Sequence, residues 1–172
     1  ASELFRNVNT ECVNLANKVL LPCVEVFSQL AVLAGIVTGT PAKADKWMRE
    51  YGIAQDHVYN YENFDQIASD DAIDIVYVVL PNSMHAEFSI RAAQAGKHVI
   101  CEKPMTTTYE EAKTLQALHQ SSGKVFAVTH TYTGYPMVRQ MREMIKAGFL
   151  GKIHKVDARY YQGWINPIIH DK

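Results

Sequence analysis

Apolar positions in this chain gather into short unbroken runs, separated by segments whose apolar residues recur with helical spacing. Residues 30–38, Leu-Ala-Val-Leu-Ala-Gly-Ile-Val-Thr, predict a fully buried strand. Thr40 and Pro41 start a helix with proline at its first position, and Gly52 ends it after Tyr51. Trp47, Met48 and Tyr51 are its expected buried face. A short helix is predicted over 63–68 and a second buried strand over 73–80. Pro81-Asn82-Ser83 then turns the chain into a helix over about 84–95, closed by Gly96. A strand follows over 98–102. Thr108 and Glu111 form a capping box for a helix that runs to about residue 120 and breaks at Ser121-Ser122-Gly123. Residues 124–129 predict one more strand. Strand and helix alternate from residue 30 onward, so the predicted class is α/β, a Rossmann-like doubly wound parallel sheet.

The pattern changes after His130. Tyr135-Pro136 starts a helix carrying Val138, Met141, Ile145 and Phe149. Residues 153–161 alternate, with Val156, Ala158 and Tyr160 on one face and Lys155, Asp157 and Arg159 on the other. Such a strand suits an antiparallel sheet with one wet side, and it needs partner strands that this sequence does not contain. The expected organisation is therefore a Rossmann-like domain over 1–130 and the start of an incomplete α+β domain over 131–172. Association through the terminal strand is expected, as a homo-oligomer or with a separate polypeptide. Residues 1–30 are atypical: they hold no glycine, and the apolar stretch from Val13 is interrupted by Pro22.

Composition narrows the function classes. With 172 residues, 48% hydrophobic and 20% charged, the chain can bury one ordinary core. A net charge of −1 without a basic stripe argues against a nucleic-acid partner. The apolar runs are too short to cross a bilayer, and no signal-peptide pattern opens the chain. Cys12, Cys23 and Cys101 lack C-x-x-C spacing, so neither a disulfide framework nor a zinc site is expected. His119, His130 and His154 show no metal spacing. No metal is expected, and the default location is the cytoplasm.

One stretch carries the chemistry. Val99-Ile100-Cys101-Glu102-Lys103-Pro104-Met105 places a lysine at the carboxyl end of a buried strand, where open α/β sheets keep their reactive groups. Together with Val78-Val79-Leu80-Pro81-Asn82-Ser83-Met84-His85 and the Ala95-Gly96-Lys97-His98 that precedes it, this stretch resembles the glucose-fructose oxidoreductase / inositol dehydrogenase (Gfo/Idh/MocA) family. The similarity runs from about residue 33 to residue 164. It is greatest toward the glucose-fructose oxidoreductase branch, through Thr38-Gly39-x-x-x-Lys43 and Tyr59-x-Tyr61-x-x-Phe64.

The resemblance implies an oxidoreductase acting on CH–OH groups of a sugar or polyol. Lys103 would be the catalytic residue, beside the nicotinamide and the substrate hydroxyl. Glu102 would lie near the cofactor ribose, and Pro81, Asn82 and His85 would face the ribose and nicotinamide side. At the end of the first strand, a carboxylate would bond the ribose 2′-hydroxyl of NAD. Thr38 stands there instead, followed by Gly39 and by Lys43 at a helix N-terminus, which favours NADP over NAD.

Two departures define the alternative. Where the fingerprint glycines would fall, the chain reads Glu11-Cys12-Val13-Asn14-Leu15-Ala16-Asn17; Val13 would obstruct the backbone's approach to a pyrophosphate. The family's second-domain aspartate and histidine lie beyond residue 172. The first reading is thus a shortened NADP(H)-dependent enzyme. The rival is a catalytically inactive Rossmann-like relative, acting as a binding or association module. Bland readings also stand beside the sharp ones: Lys43 as a solvated helix lysine, His85 as a polar helix-start residue, and Cys101 as a small buried hydrophobe.

Overall fold

The computed structural model describes residues 31–161. The reading of residues 1–30, including the glycine loop, falls outside them. Strand β1 (Ile36–Val37) pairs in parallel with β2 (Val58–Tyr59), with Ile36 opposite Val58 and Val37 opposite Tyr59. Beyond the strand, the Thr38 N–H donates to the Tyr59 carbonyl at 3.0 Å. A second parallel sheet runs β3 (Ile75–Val78), β4 (His98–Cys101), β5 (Phe126–Val128), in that order. Its register places Val78 beside Cys101 and Cys101 beside Val128. Helices separate the strands in sequence, as parallel pairing demands, and the expected α/β Rossmann-type architecture is what forms.

The strands are shorter than their apolar runs. Of residues 31–38 only Ile36 and Val37 join a ladder. Gly35 precedes them because the chain passes close to β2 there: a Cβ on Gly35 would lie 2.9 Å from the His57 carbonyl oxygen. Helix α1 (Pro41–Tyr51) begins at proline and ends at Gly52 in the left-handed conformation, φ 69°. Its fully buried residue is Ala44, whereas Trp47, Met48 and Tyr51 are only half-buried. This differs from the expected face; among the described residues, the ladder beside α1 is two strands wide.

The core gathers under helix α2 (His85–Gln94), which packs on β3, β4 and the 3₁₀ turn Phe64–Ser69. Phe88 meets Phe64 edge-on at 5.1 Å and Tyr61 at 5.3 Å. The Arg91 guanidinium covers both phenylalanine rings at about 5 Å and bonds Asp65. Ile67, Val78, Ala92, Val99 and Cys101 complete this buried cluster. Helix α3 (Tyr109–Ser122) packs on α2 and buries Leu115 completely. Both halves of its capping box form. The Glu111 N–H donates to Thr108 Oγ1, and the Glu111 carboxylate accepts from the Thr108 N–H. Gly123 closes the helix at φ 69°.

The chain divides into two compact units at His130–Thr131. In the second, a 3₁₀ turn (Thr131–Gly134) leads into helix α4 (Pro136–Lys146). Its apolar residues Met137, Val138, Met141 and Ile145 are exposed. The strand expected over 153–161 is a correction: these residues adopt no strand. A strand persists only when a neighbour takes its backbone bonds, and the described part of this unit contains none. No described helix is long and apolar enough to cross a membrane.

Candidate active site

Parallel pairing of β3 and β4 delivers two chain segments to one sheet edge. The Glu102 N–H donates to the Val78 carbonyl at 3.0 Å, extending the ladder one residue past β4. Leu80-Pro81-Asn82 and Glu102-Lys103-Pro104 therefore leave the sheet side by side, at the carboxyl ends of its strands, where ligands of open α/β sheets bind.

Side chains lock this pair of exits. His85, the first residue of α2, is 1% exposed. Its Nδ1 lies 2.6 Å from the Pro104 carbonyl oxygen and its Nε2 lies 2.8 Å from the Leu80 carbonyl oxygen. Burial opposes charge on this ring, but the neighbouring Cys101 thiol and the Pro104 and Leu80 carbonyls outweigh it and push the imidazole up to about 9. On the other side of the motif, the Tyr77 hydroxyl donates to Glu102 Oε1 at 2.6 Å. Burial and this bond hold the Tyr77 phenol well above its usual range. Glu102 Oε2 accepts the Lys103 N–H at 3.3 Å. Lys103 itself is exposed, and its peptide bond to Pro104 is cis. Pro81 precedes a 3₁₀ turn, Asn82–Met84, that leaves Asn82 exposed. Cys101 is fully buried behind the motif.

Thr38, Gly39 and Lys43 follow the first strand of the other sheet, with Lys43 in helix α1. Thr38 follows β1, and its Oγ1 accepts the Thr40 N–H at 3.2 Å. Thr38 and Gly39 border a cavity of about 320 Å³, shared with α1 and the segment 58–63, and Asp45 and Glu62 are among its lining residues. Gly39 sits flush against Tyr61, whose ring edge would be 3.0 Å from an added Cβ. Lys43 occupies the first turn of α1. No acidic residue occupies that turn, and the Thr40 side chain does not cap it. These features suit an anion near the helix start, whereas the two cavity carboxylates oppose one placed deep in the cavity.

Two side-chain clusters escaped the sequence reading. One is the Tyr77–Glu102 bond; its signal was a tyrosine inside an apolar strand, one residue before the end of β3. The other joins β2 to the end of the Phe64–Ser69 turn. Asp70 Oδ2 lies 2.6 Å from His57 Nδ1 and accepts the Tyr59 hydroxyl at 2.6 Å, while Lys97 Nζ donates to the Asp70 carbonyl at 2.8 Å. The bond to Asp70 raises His57. Although burial works against charge on Asp70, the Tyr59 and His57 bonds and the Ala72 N–H together lower it. The i, i+2 spacing of His57 and Tyr59 was visible, but the partner lies eleven residues beyond Tyr59. Among the described residues, no group of His, Cys, Asp or Glu is arranged to hold a metal.

A parallel sheet with a lysine and a glutamate at its carboxyl edge sets polar groups where open α/β sheets bind their ligands. The family model described as "Oxidoreductase family, NAD-binding Rossmann fold" matches residues 14–130, and the chain belongs to this Gfo/Idh/MocA family. It is 33% identical over 135 residues to levoglucosan dehydrogenase of Pseudarthrobacter phenanthrenivorans, covering 78% of this chain and 34% of the relative. It is 30% identical over 149 residues to dTDP-3,4-didehydro-2,6-dideoxy-alpha-D-glucose 3-reductase of Actinomadura kijaniata, covering 87% and 43%. The solved aldose-aldose oxidoreductase of Caulobacter crescentus, complexed with glycerol, superposes with a TM-score of 0.70 at 35% identity, over 80% of this chain and 41% of that one. The chain thus spans well under half the length of these relatives.

Proposed function

We propose that this chain forms the nucleotide-binding half of an NADP(H)-dependent oxidoreductase acting on a CH–OH group of a sugar or polyol. The observation that carries the reading is the convergence of Glu102-Lys103-Pro104 with Leu80-Pro81-Asn82 at one sheet edge, tied through His85. Lys103 presents its amino group from a fixed backbone: as the neutral amine it would accept the proton of the substrate hydroxyl, and as the ammonium it would return it. Glu102 and Asn82 offer polar atoms for a ribose, and Pro81 shapes the strand exit. Thr38, Gly39 and Lys43 would receive the adenosine end, where the uncapped first turn of α1 and the Lys43 cation favour a 2′-phosphate. When bound, the nicotinamide supplies the hydride acceptor or donor.

Relatives support both cofactor forms. D-xylose 1-dehydrogenase of Haloarcula marismortui carries NADP(+) in its name, and the Actinomadura kijaniata 3-ketoreductase was solved with NADP. The inositol dehydrogenase homolog of Azotobacter vinelandii was solved with NADH and myo-inositol. Absence of a carboxylate at Thr38 tips the reading to NADP. Association is also part of the proposal, through the exposed apolar face of α4, and sedimentation equilibrium would detect it.

Titration with NADPH and NADH, followed by intrinsic tryptophan fluorescence, tests the cofactor. Saturable NADPH binding tighter than NADH binding is expected. Lys103→Met should leave that binding intact and abolish turnover on a panel of aldoses and polyols. Failure of NADPH to saturate at millimolar concentration would refute the proposal.

A further inference from the structure

Both ring nitrogens of His85 face carbonyl oxygens, at 2.6 Å and 2.8 Å, in a site closed to water. A carbonyl oxygen can only accept. A neutral imidazole has one N–H and one lone pair, so either tautomer would set its lone pair against an oxygen at contact distance. In a buried site that arrangement loses a bond and adds repulsion. Only the ring protonated on both nitrogens satisfies both acceptors.

The two acceptors have distinct positions. Leu80 ends the exit of β3, and Pro104 follows Lys103 directly. We propose that His85 is carried as an imidazolium whose two N–H groups clamp these carbonyls together, making it a positioning residue for Lys103. The assignment rests on the oxidoreductase reading for the word "positioning". The clamp itself rests on the two distances.

The surroundings agree with a fixed cation. From β4 the titratable side chain set against the ring is the Cys101 thiol; β3 and the segment after β4 contribute the two carbonyls. Of the nearby carboxylates, Glu87, two residues along α2, bonds Arg91, and Glu102 bonds Tyr77; the Lys103 ammonium, next to Pro104, adds a positive charge on that side. The N-terminal end of α2 disfavours a cation, so the clamp holds against its own helix. A direct contact between the ring nitrogens and a cofactor is not available, since both are taken.

The test is ring ¹⁵N NMR on the labelled protein, with His85 assigned by its loss in His85→Gln. A doubly protonated ring is expected at pH 7, releasing a proton only as pH approaches about 9. The backbone amides of Glu102 and Lys103 should titrate with that same midpoint in the wild type and lose the step in the variant. In the active enzyme, His85→Gln should lower kcat about tenfold while the cofactor dissociation constant stays within about twofold. A neutral tautomer at pH 7 would overturn the clamp, and amides that ignore the ring's titration would overturn positioning. Cofactor affinity falling in step with kcat would also overturn it, by making His85 a cofactor contact. The ring and amide measurements need no turnover, and through-bond assignment of His85 on wild-type protein keeps both readable if the variant fails to fold. Failure of the oxidoreductase reading registers separately, as no saturable NADPH binding in the wild type.

Discussion

Tyr77→Phe isolates the bond that holds the other side of the lysine motif. The substitution removes one oxygen from a half-buried ring and leaves the ring's packing in place. What it removes is a 2.6 Å bond from a phenol to the Glu102 carboxylate. A bond to a charged acceptor is worth roughly 1.5–3 kcal/mol when its partner is left unsatisfied. Glu102 is only half-buried, so water replaces part of what is lost, and the expected cost is about 1–2 kcal/mol. For a chain of this size that lowers the melting temperature by about 2–8 °C. The sign with pH follows from the raised phenol. Its protonated form is favoured in the folded state, so the difference between wild type and variant is present below the ordinary value of 10.0 and closes only as alkali ionises the ring. A released Glu102 should also weaken NADPH binding by several-fold. Tyr132→Phe is the control. It removes a comparable bond, 2.8 Å to the Tyr160 hydroxyl, but between two exposed rings, and no measurable shift in melting is expected. Scanning calorimetry on both variants decides the matter. Equal melting temperatures for Tyr77→Phe and wild type, with unchanged cofactor affinity, would refute the claim that Tyr77 anchors Glu102.

Other parts of the fold make independent predictions. Gly35→Ala places a Cβ 2.9 Å from a backbone carbonyl that cannot swing away, so the β1–β2 ladder should loosen at a cost of about 1–3 kcal/mol, read as a fall in the urea midpoint. Leu115→Ala opens a cavity under α3 at a fully buried position and should cost about 2–5 kcal/mol by the same measurement. The His57–Asp70 pair predicts a pH window. The raised imidazole stabilises below its ordinary 6.5 and loses that contribution as pH rises through its folded value, while the lowered carboxyl stabilises above 3.8 and loses its share as pH falls through its folded value. In Asp70→Asn both limbs of the stability curve should flatten, whereas His57→Asn should flatten the alkaline limb; a curve unchanged in either variant would contradict the pairing.

Local chemistry was the most legible layer of the sequence. Thr108 and Glu111 announced their capping box because both partners sit within one turn. Gly52 and Gly123 marked helix ends because a left-handed residue is needed there. Apolar runs located β3, β4 and β5 but overstated their lengths, since an apolar residue can be buried without joining a ladder. The reading over 153–161 failed for the complementary reason. Alternation there describes a strand waiting for a neighbour, and pairing is decided by what lies beside the segment. The site shows the same division. Lys103 was placed by its position at a strand end, but the burial of His85 and the Tyr77–Glu102 bond depend on residues nineteen and twenty-five positions apart. No local pattern encodes such a meeting.

On the proposed role of Lys103, those long-range bonds would hold a long side chain ready for a precise reaction. The β4 ladder fixes the motif only as far as Glu102, whose N–H reaches the Val78 carbonyl. Beyond it the backbone would be free to turn. Glu102 is held through its side chain to Tyr77, and Pro104 through its carbonyl to His85. Lys103 therefore stands between two anchored residues, while no described hydrogen bond or ion pair engages its ammonium. Fixing the Cα on both sides limits the volume that the amine can sweep, so the entropy lost on meeting the proposed substrate hydroxyl would be reduced before the substrate arrives. Leaving the amine itself unpaired keeps it available to gain or give up a proton. A salt bridge to the ammonium would sharpen its position and suppress that exchange. Anchors placed on its neighbours would give the first benefit without the second cost, and among the described contacts the residues flanking the lysine, rather than its ammonium, carry the strong hydrogen bonds of this site.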